Sequence, residues 1–337
     1  MMIKIAINGF GRIGRSVFRK ILDSHPNLEI VVVNDLADKK TLAHLLKYDS
    51  IYGMCHKNID SDEEFLIIDE HKVKCLSEKD PSNLPWKKLG IDIVLECTGR
   101  FTNFEKAKAH IQTGAKKVII SAPCKGSDVS HFVLGVNQDK YKNQKDDIVS
   151  MGSCTTNCLA VIAKVLHQNF EIETGLMTTI HSYTNDQSLL DSPHKDLRRA
   201  RSAGLSIIPT TTGAAISVSK TIPELKGKIN GLAVRVPTAI VSLVDFTVVV
   251  KEKVSVEKVN DVFKGACSHE KLKGILSVED IPLVSIDYKG SSFSAIVDLR
   301  LTMVQEKNMI KVLAWYDNEW GYACRLAEFA DFVGNKF

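Results

Sequence analysis

Apolar residues along this chain fall into short continuous runs that alternate with stretches of helical spacing. Ile3–Ile7 is a short β-rich run, residues 15–22 carry apolar side chains three and four apart, and Ile30–Val33 is continuous and β-branched. That order predicts strand, helix and strand within about 35 residues. Helical spacing returns at Leu42–Leu46 and Phe104–Gly114, a strand pair is expected at Phe65–Ile68 and Val73–Leu76, and buried strands at Asp92–Leu95 and Val118–Ile120. Such alternation implies a parallel sheet covered on both faces. Beyond about residue 150 the texture changes to long strand-like runs with fewer crossover helices, which predicts an α+β unit with a mixed or antiparallel sheet. Those runs are Gly175–Tyr183, Gly231–Pro237, Val241–Val250, Ser294–Leu299 and Met309–Trp315, with helices at Cys158–Asn169 and Val256–Ala266. Tyr322, Leu326, Phe329 and Val333 form one helical stripe at the end. Domains are therefore expected at 1–152 and 153–316, with a helix over 317–337 packing back on the first.

Composition narrows the class. With 44% hydrophobic and 25% charged residues, and only 20 Gly and 9 Pro among 337, the chain belongs with soluble globular proteins, not disordered or collagen-like ones. Its net charge of +4, from 44 basic and 40 acidic residues spread along the chain, is too weak for a dedicated nucleic-acid surface. No apolar run reaches the roughly 18 residues of a membrane span, and no basic leader with an apolar core opens the sequence, so a cytoplasmic protein is expected. Eight cysteines in such a chain are expected to stay reduced.

Two stretches carry chemistry. Gly9-Phe10-Gly11-Arg12-Ile13-Gly14 follows the first strand and opens the first helix. The first glycine allows the tight turn, the second lets backbone approach a pyrophosphate, and the third lets helix and strand pack closely. The second strand ends in Asn34-Asp35, an acid 21 residues beyond Gly14. Strand, loop, helix and acid together predict a Rossmann-type dinucleotide-binding domain, with Asp35 favouring NAD over NADP and Lys39 and Lys40 as possible counterweights. Thr98-Gly99 and Ser121 close later strands, where ligands sit in open α/β sheets. No metal site is expected: Cys154, Cys158 and His181 would supply three ligands without a C-x-x-C pair.

The other stretch is Ser153-Cys154-Thr155-Thr156-Asn157-Cys158. Ser153 is a good N-cap, so Cys154 falls in a first helical turn, where the dipole favours a thiolate and free N–H groups can receive an oxyanion. His181, at the end of a strand, supplies a base if it lies beside that thiol; a satisfied structural histidine is the alternative. Downstream stand Arg198-Arg199-Ala200-Arg201, Thr210-Thr211-Thr212-Gly213 before a helix, and Arg235 within an apolar strand, where a guanidinium calls for an anion.

These segments, together with Arg235-Val236-Pro237-Thr238 and Trp315-Tyr316-Asp317-Asn318-Glu319-Trp320-Gly321-Tyr322, closely resemble the phosphorylating glyceraldehyde-3-phosphate dehydrogenases, in family order over residues 3 to about 335. The resemblance implies that Cys154 attacks an aldehyde with His181 as base, and that the resulting thioester is taken by inorganic phosphate. It implies NAD as cofactor, held by Gly9, Gly11, Arg12, Ile13, Gly14, Asn34, Asp35, Lys79, Thr98, Gly99, Ser121, Asn318 and Tyr322. Thr184 and Arg235 match the site for the substrate's own phosphate, Ser153, Arg199, Thr212 and Gly213 that for the attacking one, and Thr155 is counted with the substrate- and phosphate-binding residues. A homotetramer of glyceraldehyde 3-phosphate-oxidising subunits is implied, with no nucleic-acid or membrane partner. An erythrose 4-phosphate dehydrogenase is the nearest alternative, and a nucleotide- or RNA-binding or redox-sensing protein with vestigial catalysis the alternative of another class.

Overall fold

A computed structural model describes residues 2–337 except Lys125 and Ser127. The chain divides into two compact units, one comprising the chain up to Phe132, Asp139–Gly152 and Ala323–Phe337, the other Val133–Gln138 and Ser153–Tyr322. The sequence placed 133–138 and 317–322 with the first unit; both lie in the second.

In the first unit the order is β1 (Ile3–Asn8), α1 (Arg12–Ser24), β2 (Leu28–Asn34), α2 (Lys39–Lys47), β3 (Ile59–Ser61), β4 (Phe65–Ile68), β5 (His71–Leu76), α3 (Trp86–Leu89), β6 (Ile93–Glu96), α4 (Phe104–Gln112), β7 (Lys117–Ile120), β8 (Ser130–His131) and β9 (Ile148–Ser150). They form one sheet in the order β3-β4-β5-β2-β1-β6-β7-β9-β8, parallel from β5 onward and antiparallel at the β3-β4-β5 edge. Its central strands are buried on both faces, as expected of a parallel sheet under crossover helices, with Ile5, Ile7, Val32, Val94 and Val118 at 0% exposure. The C-terminal ends of β1, β2, β6 and β7 place Asn8, Asn34, Glu96 and Ile120 along one edge of this sheet.

The second unit holds α5 (Cys154–Phe170), β10 (Ile172–Ser182), β11 (Ile208–Thr210), α6 (Ala214–Thr221), β12 (Ile229–Val236), β13 (Ser242–Val250), α7 (Val256–Cys267), β14 (Leu276–Glu279), β15 (Ala295–Asp298), β16 (Met303–Gln305), β17 (Met309–Tyr316) and the start of α8 (Trp320–Gly334). Its sheet is mixed, in the order β11-β12-β10-β13-β17-β15-β14, with β16 on β17. β13 alternates buried and half-buried residues strictly, so one face is covered by α5 and the other is open. α5 is apolar nearly all round, with Leu159, Ile162 and Leu166 at 0% exposure, which makes it the central helix of this unit. From Ala323 on, α8 belongs to the first unit: Phe329 stacks on Phe132 at 5.7 Å and Asn27 donates to Asp331.

Among the described residues, no helix is long and apolar enough to cross a membrane, no group of His, Cys, Asp and Glu is placed to hold a metal, and no disulfide joins the cysteines.

Candidate active site

The nucleophile candidate is set by a helix start. Ser153 caps α5 in extended conformation: its Oγ accepts from the Thr156 N–H at 3.0 Å, and Thr156 Oγ1 accepts from the Ser153 N–H at 3.2 Å. This reciprocal cap fixes Cys154 as the first helical residue, over the positive end of a 17-residue helix. β10 delivers His181 to the same place, with Nε2 3.5 Å from Cys154 Sγ. His181 Nδ1 lies 2.7 Å from the Ser182 carbonyl, which can only accept, and against Arg235 Nη1, which can only donate; the tautomer with its proton on Nδ1 is the one that presents the Nε2 lone pair to the thiol.

Arg235 arrives because β12 pairs in parallel with β10, with His181 and Arg235 side by side in register. Its Nη1 lies against His181 Nδ1 and donates to the Ser182 carbonyl at 3.1 Å. Among the described residues its Nε is buried with no hydrogen-bond partner. Burial, and then the adjacent Arg235 charge, hold the His181 pKa down to about 3. Burial pushes the Cys154 thiol above its ordinary value, opposed by Arg235 and then by the Thr155 N–H and hydroxyl. Burial thus favours the uncharged form of both groups, while the helix dipole and Arg235 pull the thiol toward its anion.

The Thr155 hydroxyl lies 2.9 Å from Tyr316 Oη, which in turn lies 2.9 Å from Thr179 Oγ1, and all three residues are buried. The sequence singled out neither Tyr316 nor Thr179 as a site residue, since hydroxyls on buried strands carry no local signature.

The other expected anion groups are held in a separate set of bonds. Arg199 donates from Nε to Thr210 Oγ1 at 2.9 Å, from Nη2 to the Thr211 carbonyl at 3.2 Å and from Nη1 to Asp186, while Thr210 donates to Asp196 at 2.6 Å. Thr212 Oγ1 accepts from the Ala214 N–H at 3.2 Å, and Gly213, exposed, begins α6 without a side-chain cap. The Thr184 N–H is held by Gln187 Oε1 at 3.3 Å. Ser242 donates to Asn318 Oδ1 at 3.0 Å, which fixes which end of that amide faces away as a donor. Tyr322 is buried at 3% exposure.

In the first unit the glycine loop has the geometry its sequence predicts. Gly9 adopts φ +92°, and a Cβ there would sit 2.6 Å from the Thr98 nitrogen. A Cβ on Gly14 would sit 2.2 Å from the Gly9 carbonyl oxygen, which is how closely α1 approaches β1. A Cβ on Gly11 would meet nothing within 4 Å, so the space over the start of α1 is open to a ligand. Asp35 is half-buried; one oxygen accepts from the Phe10 N–H at 2.7 Å and the other from the Ala37 N–H at 3.1 Å. Arg12 pairs with Asp49, Ile13 and Ser121 are half-buried, Thr98 and Gly99 follow β6, and Lys79 is exposed. Asn34 is 4% exposed, and its side-chain amide bonds to Asn8 and the Glu78 backbone.

Two substitutions separate loop packing from ligand access. Gly14→Ala is expected to lower Tm by about 5 °C or more, because the forced overlap costs about 1–3 kcal/mol. Gly11→Ala is expected to leave Tm unchanged and weaken NAD binding about tenfold, since only the ligand is obstructed. Thermal melts beside NAD titrations distinguish the two.

An open glycine cradle at a helix start, a carboxylate at the second strand end, and a capped thiol beside an imidazole and a guanidinium are the groups expected of a nicotinamide-dinucleotide-dependent dehydrogenase. Residues 3–104 match the family description "Glyceraldehyde 3-phosphate dehydrogenase, NAD binding domain", and residues 153–318 match "Glyceraldehyde 3-phosphate dehydrogenase, C-terminal domain". The chain is 54% identical over 336 residues to glyceraldehyde-3-phosphate dehydrogenase of Geobacillus stearothermophilus, covering 100% of this chain and 99% of that protein. Identity is 53% over 337 residues to glyceraldehyde-3-phosphate dehydrogenase 2 of Bacillus subtilis, covering 100% and 98%. It is 51% over 336 residues to glyceraldehyde-3-phosphate dehydrogenase of Streptomyces coelicolor, covering 100% of both. The chain belongs to the glyceraldehyde-3-phosphate dehydrogenase family.

Proposed function

We propose that this protein oxidises glyceraldehyde 3-phosphate with NAD and inorganic phosphate, giving 1,3-bisphosphoglycerate through a thiohemiacetal and a thioester on Cys154. The observation that carries the chemistry is the 3.5 Å approach of Cys154 Sγ to His181 Nε2 at a capped helix start. His181 Nε2 takes the thiol proton as sulfur attacks the aldehyde carbon, so neither group needs to be charged beforehand. The new oxyanion lies near the Cys154 and Thr155 N–H groups at the positive end of α5. NAD, when bound, supplies the hydride acceptor that takes the thiohemiacetal to the thioester. The thioester retains the oxidation energy until phosphate attacks carbon and sulfur leaves.

Two anion sites fit the two phosphates. Arg235, with its orphaned Nε, and Thr184 suit the substrate's own phosphate. Ser153, Thr212 and Gly213 at the start of α6, and Arg199 suit the attacking phosphate. For NAD, the open cradle over Gly11 takes the pyrophosphate, Asp35 the ribose diol and the free end of the Asn318 amide the carboxamide, with Arg12, Ile13, Lys79, Thr98, Gly99, Ser121 and Tyr322 around them.

Self-association as a homotetramer is part of this proposal. Leu176, Leu232, Ile216, Leu189, Leu197 and Leu205 are 45–85% exposed, more uncovered apolar surface than an isolated unit keeps. A cytoplasmic location accompanies it. The test is the absorbance at 340 nm with reduced protein, NAD, phosphate and glyceraldehyde 3-phosphate, beside erythrose 4-phosphate and NADP. A phosphate-dependent rise with the three-carbon aldehyde is expected. No rise overturns the proposal, and preference for the four-carbon aldehyde without need of phosphate moves it to the related dehydrogenase.

A further inference from the structure

A chain of buried polar side chains runs beneath the loops of the first unit, and its centre is Glu96, the last residue of β6, at 1% exposure. Oε2 accepts from Asn8 Nδ2 at 2.6 Å and from His110 Nε2 at 3.1 Å. Oε1 accepts from the Thr98 N–H at 2.8 Å and from the Thr98 hydroxyl. The direction of each bond follows from its partners. Trp86 Nε1 can only donate, and it lies 3.0 Å from His110 Nδ1, so the His110 ring proton is on Nε2 and points at Glu96. At the other end the Glu78 N–H donates to Asn34 Oδ1 and the Glu78 carbonyl accepts from Asn34 Nδ2, both at 2.8 Å. That orientation turns the second Asn34 N–H onto Asn8 Oδ1 at 2.7 Å, and Asn8 Nδ2 onto Glu96.

We infer that Glu96 is a positioning residue for the dinucleotide, its acceptor-only carboxylate setting the direction of a buried chain of amides that holds the loops following β1, β2, β5 and β6. Asn8 precedes Gly9, Asn34 precedes Asp35, Glu78 precedes Lys79 and Thr98 precedes Gly99, so each link lies one residue from a proposed NAD contact. Glutamine, although the same size, cannot replace it. If its NH2 faces Oε2's partners it meets the Asn8 and His110 donors. Relieving that would require Asn8 and then Asn34 to turn over, breaking both bonds to Glu78. If its NH2 faces Oε1's partners it meets the Thr98 N–H.

The inference rests on the NAD proposal above, so the wild-type protein must first bind NAD and reduce it; if it does not, that proposal has failed and Glu96 is not at issue. Given that control, Glu96→Gln is expected to raise the KM and Kd for NAD about tenfold, the effect of one buried donor left without its acceptor. The kcat at saturating NAD should stay within about threefold, and the alkylation rate of Cys154 should not change. His110→Leu should also raise the NAD KM, and His110→Gln, whose amide can still donate to Glu96 and accept from Trp86, should recover most of the loss. An unchanged NAD KM overturns the inference. So does a variant in which kcat and the alkylation rate drop along with the rise in NAD KM, which marks general loosening. Should Glu96→Gln prove insoluble, the His110 pair decides by the same criteria.

Discussion

Cys154→Ser is expected to lower kcat by about 10⁴-fold or more while leaving NAD affinity and Tm nearly unchanged, measured by turnover at 340 nm beside an NAD titration and a thermal melt. The thiol is the atom that must become nucleophile, acyl carrier and leaving group in turn, and a hydroxyl is poor at the first and last of these. The capping bonds of Ser153 and Thr156 do not involve the Cys154 side chain, so the helix start should survive. Residual activity within about 100-fold of wild type would rule out the covalent route. Cys158 provides the contrast. One turn along α5, it is wholly buried, its thiol is pushed well above the ordinary range, and its Sγ lies 3.9 Å from the Ala314 carbonyl. Cys158→Ala should therefore affect stability far more than turnover.

His181→Asn is expected to lower kcat by about 10²–10⁴-fold, the usual contribution of a positioned base. The pH behaviour tests the uncharged resting pair independently. With His181 at about 3 and Cys154 above its ordinary value, the ligand-free protein should lose Cys154 to iodoacetamide slowly near pH 6 and faster as pH rises through the alkaline range. An ion pair would instead give an acidic plateau beginning well below pH 7, and that outcome would reverse the assignment. Stability follows the same sign. The unfolded chain binds a proton at His181 near 6.5 and the folded one only near 3, so stability is lost as pH falls through that window. In His181→Asn the loss of Tm between pH 7 and pH 5 should be smaller.

Much of this molecule was legible in the one-dimensional pattern. The runs at Ile3–Ile7, Ile30–Val33 and Val241–Val250 became β1, β2 and β13 within a residue or two, and the stripe through Tyr322 and Val333 became α8. Apolar spacing alone starts the central helix at Cys158, one turn late, because Cys154–Asn157 is polar; the Ser153 cap signal places the start at Cys154, where it lies. Short edge strands such as β8 and β16 carry too few residues to show alternation and were not anticipated. The glycine loop could be read because each glycine answers a local steric demand that no other residue meets.

The sequence by itself determined the order of strands and helices, the glycine cradle and the placement of Cys154 in a first helical turn. All of these depend on interactions a few residues apart. Only the tertiary structure decided the burial of the Cys154 and His181 pair, the inward bonds of Asn34 and Thr155, and the partners of Tyr316 and Glu96. Those depend on burial and on partners from other strands, such as Arg235, 54 residues from His181. Desolvation and long-range hydrogen bonding leave no periodic mark along a chain.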